Sequence, residues 1–211
     1  MQDMKTDALI LTGGKSSRMG GRHKGSLLYE HRTLTARMAE ELQKRADTVY
    51  ISYGRHPRED TSLGVPVQDI YPDCGPMSGL HAGLLASLQA GRADYVLTAP
   101  CDMPLLKAEF YDYLLQAAAE SSADPETEDG LPDAVVPCRG DFPEPLAALY
   151  RPSASAFFAR QLLTRQYRLR LALARMNVLY VDLTGQPALT DMLLNVNTPA
   201  DYESLIHPTR T

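Results

Sequence analysis

The sequence has no long apolar run, no tryptophan and only three cysteines. Because a membrane-spanning helix needs about 18 or more apolar residues, we expect no membrane association. Residues 1–7 are polar and lack the apolar segment of a signal peptide.

Cys74, Cys101 and Cys138 lie far apart and form no Cys-x-x-Cys pair. This pattern favours free thiols in a reducing cytoplasm over a zinc site.

The chain also lacks a positive charge excess. Its net charge is −5 and its isoelectric point is near 5.5, which argues against bulk nucleic-acid binding. A length of 211 residues suits one domain spanning residues 1–211. Residues from about 121 to 132 combine four acidic side chains with proline and glycine. That composition cannot build a core, so it predicts an acidic surface loop within the single domain.

The most informative stretch is the apolar run at residues 8–12 and the loop that follows it. The run is rich in β-branched and aliphatic residues and predicts a buried strand of a parallel sheet. The loop begins with Gly13-Gly14, which permits close approach of a ligand to the backbone. It also holds four basic residues and no acidic one: Lys15, Arg18, Arg22 and Lys24. The loop therefore suits a phosphate group, although a solvated turn is the alternative. It matches neither the Walker A nor the dinucleotide-binding pattern.

Strands and helices alternate along the rest of the chain. Apolar runs predict strands, and apolar residues at helical spacing predict helices. The predicted strands are residues 48–52, 65–69, 94–99, 133–137 and 178–182. The predicted helices are residues 33–46, 79–89, 107–120 and 153–163, with a last helix starting at Thr198-Pro199. This alternation predicts an α/β fold with a mostly parallel sheet and helices on both faces.

Two of the connections contain candidate functional residues. Asp102 lies just past the carboxyl end of the strand at residues 94–99, at the sheet edge where α/β proteins bind ligands. We expect it to hold Mg²⁺, although an aspartate in this position is also a common helix cap. The turn containing Gly75 and Pro76 precedes the helix at residues 79–89. We expect Ser78 to cap that helix, and an ordinary strand–turn–helix connector is the alternative.

Four sequence elements resemble the MobA-like nucleotidyltransferases, and the molybdenum cofactor guanylyltransferases within that family. They occur in the family's order: Leu11-Thr12-Gly13-Gly14-Lys15-Ser16-Ser17-Arg18-Met19-Gly20, Gly75-Pro76-Met77-Ser78-Gly79, Pro100-Cys101-Asp102-Met103-Pro104, and Asn195-Val196-Asn197-Thr198-Pro199. The resemblance extends from about residue 7 to residue 205. One departure is His23, which stands where the family usually has aspartate.

The resemblance implies a Rossmann-like nucleotidyltransferase fold, with a small antiparallel part toward the C-terminal half. It also implies transfer of GMP from GTP to the terminal phosphate of molybdopterin, with Mg²⁺ as cofactor. The implied catalytic residues are Arg18, Lys24 and Asp102, and Asp102 is the implied metal ligand. The implied nucleotide-binding residues are Leu11, Gly13, Gly14, Lys24, Asp69, Gly75, Gly79 and Asp102. Asn195 and Asn197 are carried over as candidate active-site residues.

Alternatives to this function remain open at the level of sequence. The same chemistry with CTP, or with a sugar phosphate as acceptor, is one alternative. A nucleotide-binding protein without catalysis is another, and His23 is its sole support. We further expect a cytoplasmic monomer that binds neither nucleic acid nor membrane. Partners that insert the cofactor or mature molybdoenzymes fit the implied function.

Overall fold

The computed structural model describes residues 4–12, 24–54, 62–121 and 131–207. Ten strands lie in these ranges: β1 (Thr6–Leu11), β2 (Leu28–Tyr29), β3 (Arg32–Thr33), β4 (Val49–Ser52), β5 (Val65–Val67), β6 (Tyr95–Pro100), β7 (Ala134–Arg139), β8 (Phe142–Pro143), β9 (Leu149–Tyr150) and β10 (Val178–Asp182). The same ranges contain seven α-helices: α1 (Leu34–Gln43), α2 (Pro76–Ala90), α3 (Ala108–Ser121), α4 (Ala154–Leu163), α5 (Leu169–Leu173), α6 (Pro187–Met192) and α7 (Pro199–Ile206).

The main sheet has the strand order β10-β7-β9-β6-β1-β4-β5, and β8 pairs with β7. β1 is parallel to both β4 and β6, β4 is parallel to β5, and β7 is parallel to β10. β9 runs antiparallel to its neighbours β6 and β7. The predicted mostly parallel sheet with a small antiparallel part is therefore confirmed. The separate hairpin of β2 and β3 was not predicted from the sequence.

Both faces of the sheet carry an apolar core, and β1 shows why. All six of its residues are buried, as expected for a central parallel strand. Ala8 and Ile10 belong to the core under α1 and α3. Leu9 and Leu11 point the opposite way, into the core under α2 and α4. This alternation confirms the expected helices on both faces, and each buried leucine or isoleucine contributes about 1.5–3 kcal/mol.

The start of α2 corrects one prediction. The helix begins at Pro76 with Gly75 as N-cap, three residues before the predicted start. Proline has a backbone φ already suited to the first helical position, and Gly75 adopts a φ of 72°, which side chains disfavour. Ser78 therefore caps nothing. It lies inside the helix and is fully buried.

The remaining predicted elements agree with the structure within a few residues at their ends. α7 begins at Thr198-Pro199 as predicted and has a full capping box formed by Thr198 and Asp201.

Most of the predicted acidic loop falls outside the described residues, and the single-domain assignment stays a prediction. Within the described ranges, no helix combines the length and apolarity needed to span a bilayer.

The packing of α2 on β1 gives a prediction for Gly83. A Cβ atom there would lie 2.4 Å from both Cδ atoms of Leu9, which is fully buried. We expect Gly83→Ala to lower the free energy of unfolding by about 1–2 kcal/mol, because overpacking outweighs the gain in helix propensity. Urea denaturation followed by circular dichroism measures the change. Gln89→Ala, at an exposed position of the same helix, is the control and should shift stability by less than about 0.5 kcal/mol. A stabilising Gly83→Ala would contradict this packing.

Candidate active site

The candidate site lies at the carboxyl edge of the central strands. From β1 the chain builds the sheet to one side through β4 and β5. It then crosses back through α2 to β6 on the other side of β1. In open α/β sheets, such a reversal of strand order opens a crevice at the carboxyl ends of the strands. The segments that follow β5 and β6 deliver Asp69 and Asp102 to this edge.

Three distant side chains meet at this edge. The Nζ atom of Lys24 donates to Oδ2 of Asp102 at 2.9 Å and to Oδ1 of Asn197 at 2.6 Å. The side chains of Lys24 and Asp102 are about one-fifth exposed, at 20% and 21%. Both side chains are thus largely enclosed, yet each keeps some exposed surface.

The backbone around each of the three residues is held by specific contacts. Lys24 starts a short 3₁₀ turn, and the next residue, Gly25, is buried against Thr35. A Cβ at Gly25 would lie 2.4 Å from the Thr35 hydroxyl, whose Oγ1 donates to the Gly25 carbonyl at 3.1 Å. Next to Asp102, the Cys101 amide donates to the Leu11 carbonyl at 3.1 Å. This contact ties the end of β6 to the end of β1.

Asn197 reaches the site through its neighbour Val196. The Val196 amide donates to the Asp102 carbonyl at 2.7 Å, and the Val196 side chain is buried. This hydrogen bond attaches the segment before α7 to Asp102, two residues after the end of β6. The backbone next to Asn197 is therefore held in place where its side chain contacts Lys24.

Cys101 is the neighbour of Asp102 in the sequence, but its thiol is unsuited to act as a nucleophile. Burial, and secondarily the neighbouring Asp102 carboxylate, raise the pKa of its thiol to about 12. Because the thiolate is the reactive form, Cys101 stays protonated and inert at neutral pH. Its side chain packs in the core beneath the site.

A second group of polar residues surrounds Asp69. The Ser52 hydroxyl, at the end of β4, donates to Oδ1 of Asp69 at 2.8 Å. Burial raises the pKa of the Asp69 carboxyl, while Ser52, Ser78 and the charge of His81 oppose that increase. His81 is itself buried, and its ring makes an edge-on contact with Tyr71 at 5.4 Å between centroids. Asp69 is thereby held in a partly desolvated setting beside the first turns of α2.

The first turns of α2 approach the strand ends closely because of Gly79. A Cβ on Gly79 would lie 2.7 Å from Oγ of Ser52 and 2.8 Å from Cδ2 of Leu11. Glycine at this position therefore permits the helix N-terminus to sit directly over β1 and β4. Backbone N–H groups at a helix N-terminus favour anionic or carbonyl oxygens.

The described ranges contain eight of the predicted site residues. Lys24, Asp102 and Asn197 come together, and Asp69 and Gly79 lie around Ser52. Gly75 caps α2, and Leu11 ends β1. Asn195 is half-buried and does not contact Lys24 through a hydrogen bond within the described part of the chain. Gly13, Gly14 and Arg18, together with His23, fall outside the described residues, so their roles stay predictions.

Sequence reasoning missed Ser52, His81 and Asp201 as contributors to the site. Ser52 could have been found, because it ends a predicted strand at the carboxyl edge where ligands bind. His81 had no such signal, since its neighbours Asp69 and Tyr71 come from another segment. The role of Asp201 extends beyond its expected place in the first turn of α7, as its contact with the Asn197 amide shows.

The donors present suit a hard cation that also binds phosphate. In the part of the chain that the structure describes, no three histidine, cysteine or acidic side chains cluster as a metal cage. Mg²⁺ commonly uses one or two carboxylates together with substrate phosphate oxygens and water. The Asp102 carboxylate is a ligand of this kind. The Asn197 amide oxygen lies beside it, and both oxygens accept a hydrogen bond from the Lys24 ammonium. The residues present therefore fit a Mg²⁺ site that is completed by oxygens of a bound phosphate group.

A reversal of strand order with a glycine-containing helix N-terminus beside it is typical of nucleotide-binding α/β folds. The chain belongs to the MobA-like NTP transferase domain family, whose model matches residues 8–179. It is therefore a nucleotidyltransferase. The earlier inference of this family from four sequence elements is confirmed.

Individual relatives agree with this assignment over nearly the full chain. A Vibrio parahaemolyticus protein named molybdenum cofactor guanylyltransferase is 29% identical over 206 residues, which cover 95% of each chain. A Clostridium perfringens protein named probable molybdenum cofactor guanylyltransferase is 29% identical over 211 residues, covering 96% of this chain and 97% of that one. The crystal structure of molybdopterin-guanine dinucleotide biosynthesis protein A from Archaeoglobus fulgidus has a TM-score of 0.74 at 22% identity. That match covers 95% of this chain and 96% of that one, and it confirms the Rossmann-like nucleotidyltransferase fold.

The burial of His81 predicts how stability depends on pH. Burial lowers its pKa below the ordinary 6.5, and the nearby Asp69 charge only partly opposes this. Below pH 6.5 the unfolded chain therefore binds more protons at this site than the folded chain does. The free energy of unfolding should fall as pH drops from about 6.5, by at most about 1.4 kcal/mol per pH unit for one proton.

Urea denaturation at pH 7.5 and pH 5.5 tests this expectation. His81→Gln should lose less stability between these two pH values than the wild type does. His207→Gln, at an exposed position, is the matched control and should retain the wild-type difference. Equal pH dependence in wild type and His81→Gln would refute the contribution of His81.

Proposed function

We propose that the protein transfers GMP from GTP to the terminal phosphate of a molybdopterin-type cofactor and releases pyrophosphate. The observation that carries the proposal is the junction of Lys24, Asp102 and Asn197 at the carboxyl edge of β1 and β6. The names of the relatives, which cover nearly the whole chain, support guanine as the base and the molybdenum cofactor as the acceptor.

The reaction needs positioning and charge neutralisation more than proton transfer. The acceptor is a phosphate monoester, whose second pKa is near 6, so at pH 7 it is already largely a dianion. One of its oxygens attacks the α-phosphorus of GTP. The bond from the α-phosphorus to the bridging oxygen breaks, and that oxygen leaves with its electron pair as part of pyrophosphate. Because no proton has to be removed from the nucleophile, we assign no general base.

Lys24 supplies the positive charge that this step requires. Its ammonium group is held between two oxygen acceptors, and its side chain is about one-fifth exposed, at 20%. A fixed cation next to a reacting phosphate stabilises the charge that grows on the leaving oxygens, and removing one such group commonly costs about 2–4 kcal/mol. In this proposal Arg18, which follows β1 in the sequence, adds a second cation.

Asp102 would hold Mg²⁺ together with oxygens of the bound nucleotide. When bound, the ion neutralises phosphate charge and makes pyrophosphate a better leaving group. Asn197 keeps the Lys24 ammonium directed toward the same place. On the opposite side, the N-terminal turns of α2 and the Asp69 carboxyl line the position that we assign to the nucleotide base.

A nucleotide panel tests the proposed function. Purified protein is incubated with Mg²⁺, a molybdopterin acceptor and one of GTP, ATP, CTP or UTP. Pyrophosphate release and the dinucleotide product are measured. We expect release with GTP alone. Asp102→Asn should lower kcat by on the order of 100-fold, whereas Asp141→Asn, at an exposed turn, should leave kcat unchanged.

Each alternative function has a distinct outcome in this panel. Release with CTP in preference to GTP would replace the guanylyl assignment by a cytidylyl one. Release with GTP and a sugar phosphate, but not with molybdopterin, would change the acceptor. Binding of GTP without release for any acceptor would contradict catalysis and favour a nucleotide-binding role.

A further inference from the structure

Helix α7 begins with a capping box that has one hydrogen bond more than the usual two. In the usual arrangement, the N-cap side chain accepts from the third helical amide, and the third residue's side chain accepts from the N-cap amide. Both are present, with Thr198 Oγ1 accepting from the Asp201 amide at 3.1 Å and Asp201 Oδ2 accepting from the Thr198 amide at 2.8 Å. Oδ2 of Asp201 also accepts from the Asn197 amide at 2.9 Å. This additional bond extends beyond the helix to a residue of the site.

With this additional bond, hydrogen bonds hold the backbone on both sides of Asn197. On one side, Val196 is bonded to the Asp102 carbonyl at 2.7 Å. On the other side, Asp201 holds the amides of Asn197 and Thr198. Side-chain rotamers depend on the backbone conformation that carries them. A fixed backbone at Asn197 therefore directs its Oδ1 atom toward Lys24.

α7 is also packed against the segment that follows Lys24. The Tyr202 hydroxyl donates to the Leu28 carbonyl. Leu27 and Leu34 form a small apolar cluster with three partly buried side chains, Tyr29, Tyr202 and Leu205. The same helix thus contacts the chain on both sides of the site, at Asn197 and just after Lys24.

We propose that Asp201 is a positioning residue that acts through Asn197 to hold the Lys24 ammonium beside Asp102. This inference depends on the proposed function, because Lys24 and Asp102 are its reacting-site residues. The hydrogen bonds from the Asn197 and Thr198 amides also lower the pKa of Asp201, so its carboxylate is the form present at neutral pH.

Two variants separate positioning from simple helix capping. Asp201→Ala removes the acceptor of the Asn197 and Thr198 amides. Thr198→Ala removes the acceptor of the Asp201 amide and leaves the bond to Asn197 in place. Each loses part of the same capping box, so each should lower Tm by about 2–4 °C. Their effects on the site should differ.

The first readout is structural and does not depend on turnover. Crystal structures of both variants report the distance between Lys24 Nζ and Asn197 Oδ1. We expect the contact to be lost in Asp201→Ala and retained in Thr198→Ala. Retention of the contact in Asp201→Ala, or its loss in both variants, would overturn the proposal.

The second readout is kinetic, at a temperature well below the Tm of each variant. Asp201→Ala should lower kcat about tenfold, because small displacements of a catalytic group have large effects on rate. The KM for GTP should change less than about twofold. Thr198→Ala should keep kcat within about twofold of the wild type. In an Asn197→Ala background, Asp201→Ala should lower kcat no further, since the two act in series.

Independent effects of Asp201→Ala and Asn197→Ala, whose fold-changes in kcat multiply in the double variant, would overturn the proposal. Equal kcat values for Asp201→Ala and Thr198→Ala would overturn it as well. Absence of turnover in the wild type would count against the proposed function alone. The crystallographic contact would then decide the role of Asp201.

Discussion

One ammonium group connects three parts of the chain that are far apart in sequence. Lys24 donates to Asp102, 78 residues away, and to Asn197, 173 residues away. An unpaired carboxylate in a partly enclosed site is costly, and the ion pair with Lys24 gives Asp102 its partner. The fold must therefore bring the Asp102 and Asn197 side chains to the same point beside Lys24.

The parallel sheet meets this requirement through its strand order. Because β1 pairs with both β4 and β6, the carboxyl ends of three strands open on the same edge. Glycines at 25 and 79 let the neighbouring segments approach this edge closely. The last helix then closes the site from the other side, with the Val196 amide bonded to the Asp102 carbonyl. Thus the family-matched part of the chain supplies Lys24 and Asp102, and the region after it supplies Asn197.

The strands and helices that frame the site could be predicted, since their apolar residues follow simple periods. Asp102 could be proposed as a ligand from its place just after a strand, and Asn197 from resemblance alone. The start of α2 was placed too late, because Ser78 looked like a cap while Gly75 and Pro76 define the helix start by backbone conformation. Asp201 was predicted only as part of the first turn of α7. Its bond to the Asn197 amide depends on the path of the chain before the helix, and no local pattern in the sequence encodes that path.

The most direct test of the account is a crystal structure with Mg²⁺ and a GTP analogue whose α–β bridging oxygen is replaced by a methylene group. The account predicts the α-phosphate at the carboxyl edge of β1 and β6, within hydrogen-bonding distance of Lys24 Nζ. It also predicts the metal ion on the Asp102 carboxylate and the base beside Asp69 and the first turns of α2. A triphosphate bound away from Lys24, or a metal ion held without Asp102, would contradict the central role of this junction.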